Sequence, residues 1–248
     1  MACRQSPLPN KGAGMRIIET VRSSGGLYTI PEAAKYARMP TATLTYWLYG
    51  DRVHTALRRA QIDTDEGRYL TFLEFAEALA IRDLRANHHV SLPKIRQAID
   101  EAKTTYKIDY PFANKKHRTY LIGKDLHITV TDELDLVQIS GKGRGQKQMR
   151  PCLEQFMRDL EFDEKDTASA YTAYRWTPRK GKKEIIIRMN PAYCFGEPVV
   201  VGTGYRARTL WKAAVAEGSE KKAAENYDVD VDSVIAASRY CVEIEKAA

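Results

Sequence analysis

The sequence predicts an α+β protein in which helical modules at both ends flank a small antiparallel β-rich middle. Helix-period apolar spacing, interrupted by one hairpin signal, occupies the first half of the chain. Short β-rich pieces separated by turn residues follow, and capped helical segments return near the end. A length of 248 residues suits two or three small modules.

Changes in composition divide the chain into four segments. Residues 1–26 are rich in Pro, Gly and Ser, which predicts a mobile N-terminal segment. Residues 27–109 form the first helical module, residues 110–188 the β-rich middle region, and residues 189–248 the C-terminal three-helix module.

The first ordered elements are predicted to be two short helices with a tight joint. Thr29 or Ile30 caps the first helix, and Pro31 lies in its first turn, where a missing N–H does no harm. The second helix follows Pro40, runs over 41–48 and ends before Gly50. This arrangement is typical of a helix-turn-helix, whose second helix enters the major groove of DNA.

A hairpin and two further helices are predicted next. Residues 63–67 are a turn cluster and residues 68–70 an extended segment, as in the wing of a winged helix-turn-helix. Apolar residues at helical spacing predict a helix from Phe72 to about Arg85. Another helix begins at Leu92, after Ser91.

The middle region alternates β-rich pieces with turns. This pattern predicts a small antiparallel β layer, with a helix over 149–160 and strands over 118–122, 127–130, 134–139, 170–176 and 184–188.

The last module is predicted to contain three helices with short joints, resembling a second helix-turn-helix. Gly218 and Ser219 separate the first two helices, and Asp232 caps the third. The predicted elements are a strand over 199–201 and helices over 209–217, 220–227 and 233–245.

Charge is distributed unevenly along the chain. The net charge is +7, yet residues 189–248 contain seven bases and nine acids, which leaves +9 for residues 1–188. This asymmetry predicts an anionic partner for the front of the chain and a different partner for its end.

The spacing of the cysteines and the N-terminal sequence predict the cellular compartment of the protein. Four scattered cysteines without a CxxC pair indicate free thiols rather than disulfides or a structural zinc site. The chain has no apolar run of about 18 residues, and its start lacks an apolar signal region. We therefore expect a cytoplasmic protein with no membrane partner.

Candidate DNA-contacting residues lie on and around the second helix. Threonine methyl groups suit contacts with thymine, and basic side chains suit phosphates. Because this helix is poor in bidentate readers, we expect affinity to depend on flanking arginines and on a homodimer. The candidates are Arg38, Pro40, Thr41, Thr43, Thr45, Tyr46, Arg52, Arg58, Arg59 and Arg68.

Two other basic runs, residues 141–150 and 175–183, fit solvated loops and sequence-independent phosphate binding equally well. Their role stays open at the level of the sequence.

Catalytic signals are weak. Gly202-x-Gly204 follows a strand and precedes a helix, with Glu225 near the spacing of a ribose ligand, but a second parallel strand is missing. A nucleotide-dependent enzyme is therefore the weakest alternative. We expect no catalysis, no metal site and no cofactor.

Specific segments resemble the winged helix-turn-helix of the MerR family. They are Tyr28-Thr29-Ile30-Pro31-Glu32-Ala33-Ala34, Leu44-Thr45-Tyr46-Trp47, Tyr69-Leu70-Thr71-Phe72 and Val90-Ser91-Leu92-Pro93-Lys94-Ile95-Arg96.

The C-terminal segments Phe195-Gly196-Glu197-Pro198-Val199-Val200, Gly202-Thr203 and Gly218-Ser219 resemble the small antitoxin domain of unknown-function family 433. With Tyr110-Pro111-Phe112-Ala113 between them, the two ends look like a large VapB-type antitoxin.

The resemblance implies a type II antitoxin that represses its own operon by binding double-stranded operator DNA. It also implies that the protein neutralises a PIN-like ribonuclease toxin, with Tyr205, Arg206 and Arg208 as candidate toxin-binding residues. The alternative is a free-standing MerR-like transcriptional regulator that responds to a small effector.

Overall fold

The computed structural model describes residues 26–57, 62–64, 67–122, 125–129, 136–138, 149–179 and 182–247. These residues form eight α-helices and eleven β-strands, and every strand pair among them is antiparallel. The expected α+β class is therefore confirmed. Within the same ranges, no helix combines the length and apolar character needed to cross a bilayer. The segment expected to be mobile lies outside the described residues, apart from Gly26.

Two short helices, a three-stranded sheet and two longer helices form the N-terminal part. Their bounds are β1 (Leu27–Thr29), α1 (Ile30–Tyr36), α2 (Thr41–Tyr49), β2 (Ile62–Thr64), β3 (Gly67–Thr71), α3 (Phe72–Ala86) and α4 (Leu92–Thr104). The strand order is β1-β3-β2, so the hairpin predicted as a wing is joined by a third strand, β1, that the sequence did not predict.

Capping boxes mark the starts of two helices of this part, α1 and α3. The Thr29 side chain accepts a hydrogen bond from the Glu32 backbone N–H, while the Glu32 carboxylate accepts one from the Thr29 backbone. Thr71 and Glu74 repeat the arrangement at the start of α3, where both residues are buried. Each box satisfies backbone N–H groups that a helix start otherwise leaves without partners.

The middle region contributes two four-stranded sheets. The first, in the order β6-β5-β4-β7, contains β4 (Thr119–Ile122), β5 (Asp125–Thr129), β6 (Leu136–Gln138) and β7 (Met149–Pro151). The second, in the order β11-β10-β9-β8, contains β8 (Leu160–Phe162), β9 (Ala168–Trp176), β10 (Ile185–Met189) and β11 (Val199–Val200).

The helix predicted over residues 149–160 is wrong. That stretch contains β7, a five-residue helix α5 (Glu154–Arg158) and the start of β8. Leu153, just before α5, has a left-handed backbone with φ of 65°. Pro151 of β7 pairs with Tyr120 of β4, and Leu160 pairs with Tyr171 of β9, so strand pairing outweighs the local helical pattern.

Three helices complete the chain: α6 (Ala207–Glu217), α7 (Glu220–Tyr227) and α8 (Val231–Ala247). Gly218 ends α6 with φ of 63°, the left-handed conformation that favours glycine, and the Ser219 side chain caps α7. The third helix begins at Val231, slightly earlier than predicted.

The larger of two hydrophobic clusters among the described residues includes side chains from all the predicted modules, and the smaller cluster lies between the last three helices. A single cluster of buried side chains extends from Tyr28 in β1 to Ile244 in α8. The rings of Phe75 in α3 and Tyr171 in β9 lie 6.3 Å apart, edge to face. The sheet that contains β10 and β11 also spans the expected boundary at residue 189. The N-terminal helices are thus packed directly against the middle and C-terminal elements.

Candidate nucleic-acid interface

Helices α1 and α2, which are joined by a tight turn, form the two-helix unit of the candidate interface. Backbone hydrogen bonds close the joint: the Ala37 N–H donates to Ala33 O at 2.8 Å, and the Met39 N–H donates to Ala34 O at 3.0 Å. Leu44, Trp47 and Leu48 are buried and hold α2 on the core. The other faces of α2 are consequently the ones that a DNA groove would meet.

The predicted groove residues lie at the start of α2 and along it, where Ala42 is the exposed residue of the helix. Pro40 is exposed at the start of the helix, whereas Thr41, Thr43, Thr45 and Tyr46 are half-buried. The Thr45 hydroxyl donates to Thr41 O at 2.8 Å, so its proton is already engaged within the helix. Contact through the threonine methyl groups is the chemistry that this face offers most readily.

Two basic residues lie beside the C-terminal end of α2. Arg52 is exposed in the loop that follows the helix, and Arg68 is exposed on β3 of the wing. The Arg68 guanidinium lies 4.3 Å from the centre of the Tyr49 ring, so a cation–π contact holds the wing's charge against α2. Arg52 and Arg68 form what we call the wing-side basic pair.

The Arg38 side chain is directed toward α8. Its guanidinium pairs with Glu243 at 3.3 Å and lies 5.9 Å from the centre of the Tyr240 ring, both on α8. The residue therefore connects the helix-turn-helix joint to the C-terminal helix. Arg58 and Arg59, the remaining candidates, lie outside the described residues.

The loop after α2 forms a cavity that the sequence did not predict. Gly50 has φ of 70°, and an added Cβ would lie 2.2 Å from His54 O, so only glycine fits this turn. The Asp51 carboxylate accepts hydrogen bonds from the His54 and Val53 backbone N–H groups, which lower its pKa. The cavity measures about 550 Å³, and Arg52 lines it beside residues of α4.

The candidate toxin-binding residues cluster at the start of α6. Tyr205 is 37% exposed and meets the Tyr227 ring edge to face at 5.0 Å. Arg206 pairs with Glu197 at 3.3 Å, and Arg208 is exposed on the first turn of α6. Tyr205 and Arg206 thus lie in the turn before α6, and Arg208 lies on the first turn of that helix.

Two exposed aromatic residues near this cluster were not assigned to it from the sequence. Tyr193 is 67% exposed and Phe195 is 69% exposed, both in the loop before β11. Cys194 and Phe195 have φ of 47° and 57°, which is an uncommon backbone for side chains of this size. The Phe-Gly pair at 195–196 was the available signal, since glycine often follows such a turn.

The structure describes most of the 175–183 basic run but only the last two residues of the 141–150 run. Arg175 pairs with Asp159 at 3.4 Å and with Glu184 at 3.5 Å, and Lys182 pairs with Asp232 at 2.5 Å. Arg175 and Lys182 are therefore paired within the protein, whereas Arg179 and Lys183 are exposed, and the role of the 175–183 run stays open. Most of the 141–150 run lies outside the described residues.

The glycine-rich turn at Gly202 and Gly204 does not form part of a dinucleotide-binding unit. Both glycines have positive φ, at 87° and 76°, and connect β11 to α6. Strand β11 pairs with β10 in the antiparallel sense, whereas a dinucleotide fold places its glycine turn between parallel strands.

Comparisons with known proteins identify a solved structure with a similar fold but no matching family. No family model matches the chain, and no curated protein does. The crystal structure of Rv2018 from Mycobacterium tuberculosis superposes with a TM-score of 0.60 at 21% identity, covering 85% of this chain and 96% of that one. At this level of identity, the likeness concerns the fold alone.

Proposed function

We propose that the protein is a DNA-binding antitoxin that represses its own operon and neutralises a PIN-like ribonuclease toxin. The observation that carries the DNA-binding half is the arrangement of α1, α2 and the wing, in which Arg52 and Arg68 flank the end of α2. A winged helix-turn-helix uses this geometry to insert one helix in the major groove and to contact phosphates beside it.

The chemistry of α2 favours binding that depends on phosphates and on DNA shape. Its accessible side offers threonines and Tyr46, and none of these makes the bidentate base contacts of arginine or asparagine. The wing-side basic pair supplies charge instead, and this contribution weakens with salt. A homodimer on a symmetric operator would double a footprint that is weak in one copy.

The antitoxin half rests on the resemblance of the C-terminal module and on its surface. Arg208 is exposed there, and the aromatic side chains of Tyr193, Phe195 and Tyr205 are accessible. Aromatic and arginine side chains dominate the energetics of protein interfaces. An arginine presented to the acidic metal-binding groove of a nuclease would form charge-assisted hydrogen bonds with its carboxylates.

DNA binding is tested by titrating the DNA upstream of the gene with full-length protein in a fluorescence anisotropy assay. Arg52→Gln and Arg68→Gln should each weaken binding by about fivefold and flatten its salt dependence, because each removes one phosphate contact. Lys212→Gln, an exposed cation on α6, is the matched control and should bind like the parent. Unchanged affinity in both arginine variants would contradict the placement of DNA at this surface.

Toxin neutralisation is tested by co-expression with the product of the adjacent gene. The parent protein should restore viability and co-purify with the nuclease, whereas Arg208→Glu should lose both effects. Lys246→Glu, an exposed charge reversal on α8, is the control and should retain them. A non-toxic neighbour that forms no complex would refute the antitoxin half and favour a free-standing regulator.

A further inference from the structure

A second cavity, of about 310 Å³, lies in the middle region where β4, β7, α5 and β8 meet. Its size falls at the lower end of the range of small-molecule pockets, about 300–1,000 Å³. Neither the DNA-binding surface nor the candidate toxin-binding surface includes it. We call it the middle pocket.

Three cations surround the middle pocket. Lys115, Arg118 and Arg158 are exposed, and their side chains form no ion pair or hydrogen bond with any residue in the described ranges. Neighbouring cations behave differently: Lys116 pairs with Asp166 at 3.7 Å, and Arg175 pairs with Asp159. The pocket therefore concentrates the unpaired positive charge of its region.

Among the described residues that line the pocket, Glu154 supplies the one carboxylate. Three cations against one anion give the pocket an excess of positive charge, which favours an anionic ligand. Arginines suit phosphate and carboxylate groups in particular, because the planar guanidinium donates two parallel hydrogen bonds.

The walls of the middle pocket are apolar and partly aromatic. Tyr120, Met157 and Phe162 are half-buried, and the last two pack against the main core. Half-buried rings offer flat surfaces on which a planar ligand ring stacks. Held in place by the core, these walls form without the ligand.

Cys152 also lines the pocket but has no nucleophilic role. Its thiol donates to Thr119 O at 3.4 Å, and burial raises its pKa to about 12. A thiol that stays neutral at physiological pH favours binding rather than covalent chemistry in this pocket.

From the cavity, its unpaired cations and its aromatic walls, we propose that the middle pocket binds a small organic phosphate with a planar ring, of mononucleotide size. A nucleic-acid strand would instead need cations spread along a groove rather than grouped around one cavity. The proposal goes beyond DNA binding and toxin neutralisation, and neither of those functions depends on it.

Isothermal titration of the full-length protein with AMP and with GMP tests the proposal. At least one nucleotide should bind with a Kd below about 1 mM, while adenosine, guanosine and inorganic phosphate should each bind at least about tenfold more weakly. The double variant Arg118→Gln/Arg158→Gln should lose at least about tenfold in affinity. The control Lys212→Gln/Lys221→Gln, which removes two exposed cations outside the pocket, should bind like the parent.

Three outcomes would overturn the proposal. They are no heat of binding for either nucleotide, equal binding by the Arg118/Arg158 variant, and tighter binding of a short single-stranded oligonucleotide than of the mononucleotides. Thermal melting of each variant identifies any loss of fold. Because operator binding and toxin rescue are measured separately, failure here leaves their results unaffected.

Discussion

Burial separates the cysteines of the described chain into two kinds. Cys152 and Cys241 are buried, and desolvation raises the pKa of each thiol to about 12, while Cys194 is only partly covered. Since the thiolate is the reactive form, iodoacetamide at neutral pH should label Cys194 at least about tenfold faster than the other two. Peptide mass spectrometry measures the rates, and equal rates in the native protein would contradict the burial. In denaturant, all three should react alike.

Arg38 shows how a residue's role depends on distant structure. The sequence places it in the joint of the helix-turn-helix, beside the groove, but its guanidinium pairs with Glu243 of α8, more than 200 positions away. No local pattern contains that information, whereas the cap at Thr29 is a local signal that the sequence already offered as one of two candidates. The basic residues of the interface could thus be proposed from the sequence, but the directions of their side chains could not.

Arg38→Ala should therefore affect stability rather than DNA affinity. Loss of a partly exposed ion pair and of the contact with Tyr240 should lower the free energy of unfolding by about 1 kcal/mol. Operator affinity should stay within about twofold of the parent, in contrast to Arg52→Gln. Urea unfolding and anisotropy on the same preparations distinguish the two effects. A large loss of affinity without a loss of stability would return Arg38 to the DNA surface.

At the scale of elements, one close contact joins β1 to the loop before β11. The buried Tyr28 hydroxyl donates to Gly196 O at 2.9 Å, and Gly196 has φ of 84°. An added Cβ at position 196 would lie 2.1 Å from the Tyr28 oxygen. This contact requires glycine for two independent reasons, conformation and space.

Gly196→Ala should lower the free energy of unfolding by more than about 2 kcal/mol, because it combines a strained backbone with a steric clash. Tyr28→Phe should lower the free energy of unfolding by about 1 kcal/mol, because it removes the hydrogen bond to Gly196. Since Tyr28→Phe also removes the clashing oxygen, the double variant should be less destabilised than the sum of the two single variants. Denaturant unfolding of the four proteins gives the coupling, and strict additivity would contradict the contact.

Helix caps and most strands of the middle region were predicted from local signals, whereas β1, β7 and β8 were not. Gly218 and Ser219 marked the α6–α7 joint because caps and left-handed residues act within one turn. Strand β1 and the 149–160 stretch were misread because their conformations depend on pairing with β3, β4 and β9. Strand pairing over long separations leaves little trace in a single sequence.

For the whole molecule, the segments that differ in sequence composition are not separate packing units, because contacts cross the boundaries between them. The sheet β11-β10-β9-β8 includes β11 from the C-terminal segment. Ion pairs also join α8 to the N-terminal part: Glu245 pairs with Lys35 in α1, and Glu243 pairs with Arg38 in the turn after α1. A partner or ligand bound to the middle or C-terminal elements would therefore contact a body that is continuous with α1 and α2. Any coupling between α6 and α1 would act through α8, which packs against both helices.

A shared core should make the protein unfold as one unit. The three tryptophans report on different parts: Trp47 on α2, Trp176 on β9 and Trp211 on α6. Variants that retain one tryptophan each, with phenylalanine at the other two positions, should show transitions that coincide when each is also followed by circular dichroism. Independent modules would instead give a fluorescence transition displaced from the circular dichroism curve in at least one variant. Coincidence is expected because the buried cluster from Tyr28 to Ile244 has to be exposed before any one part can separate.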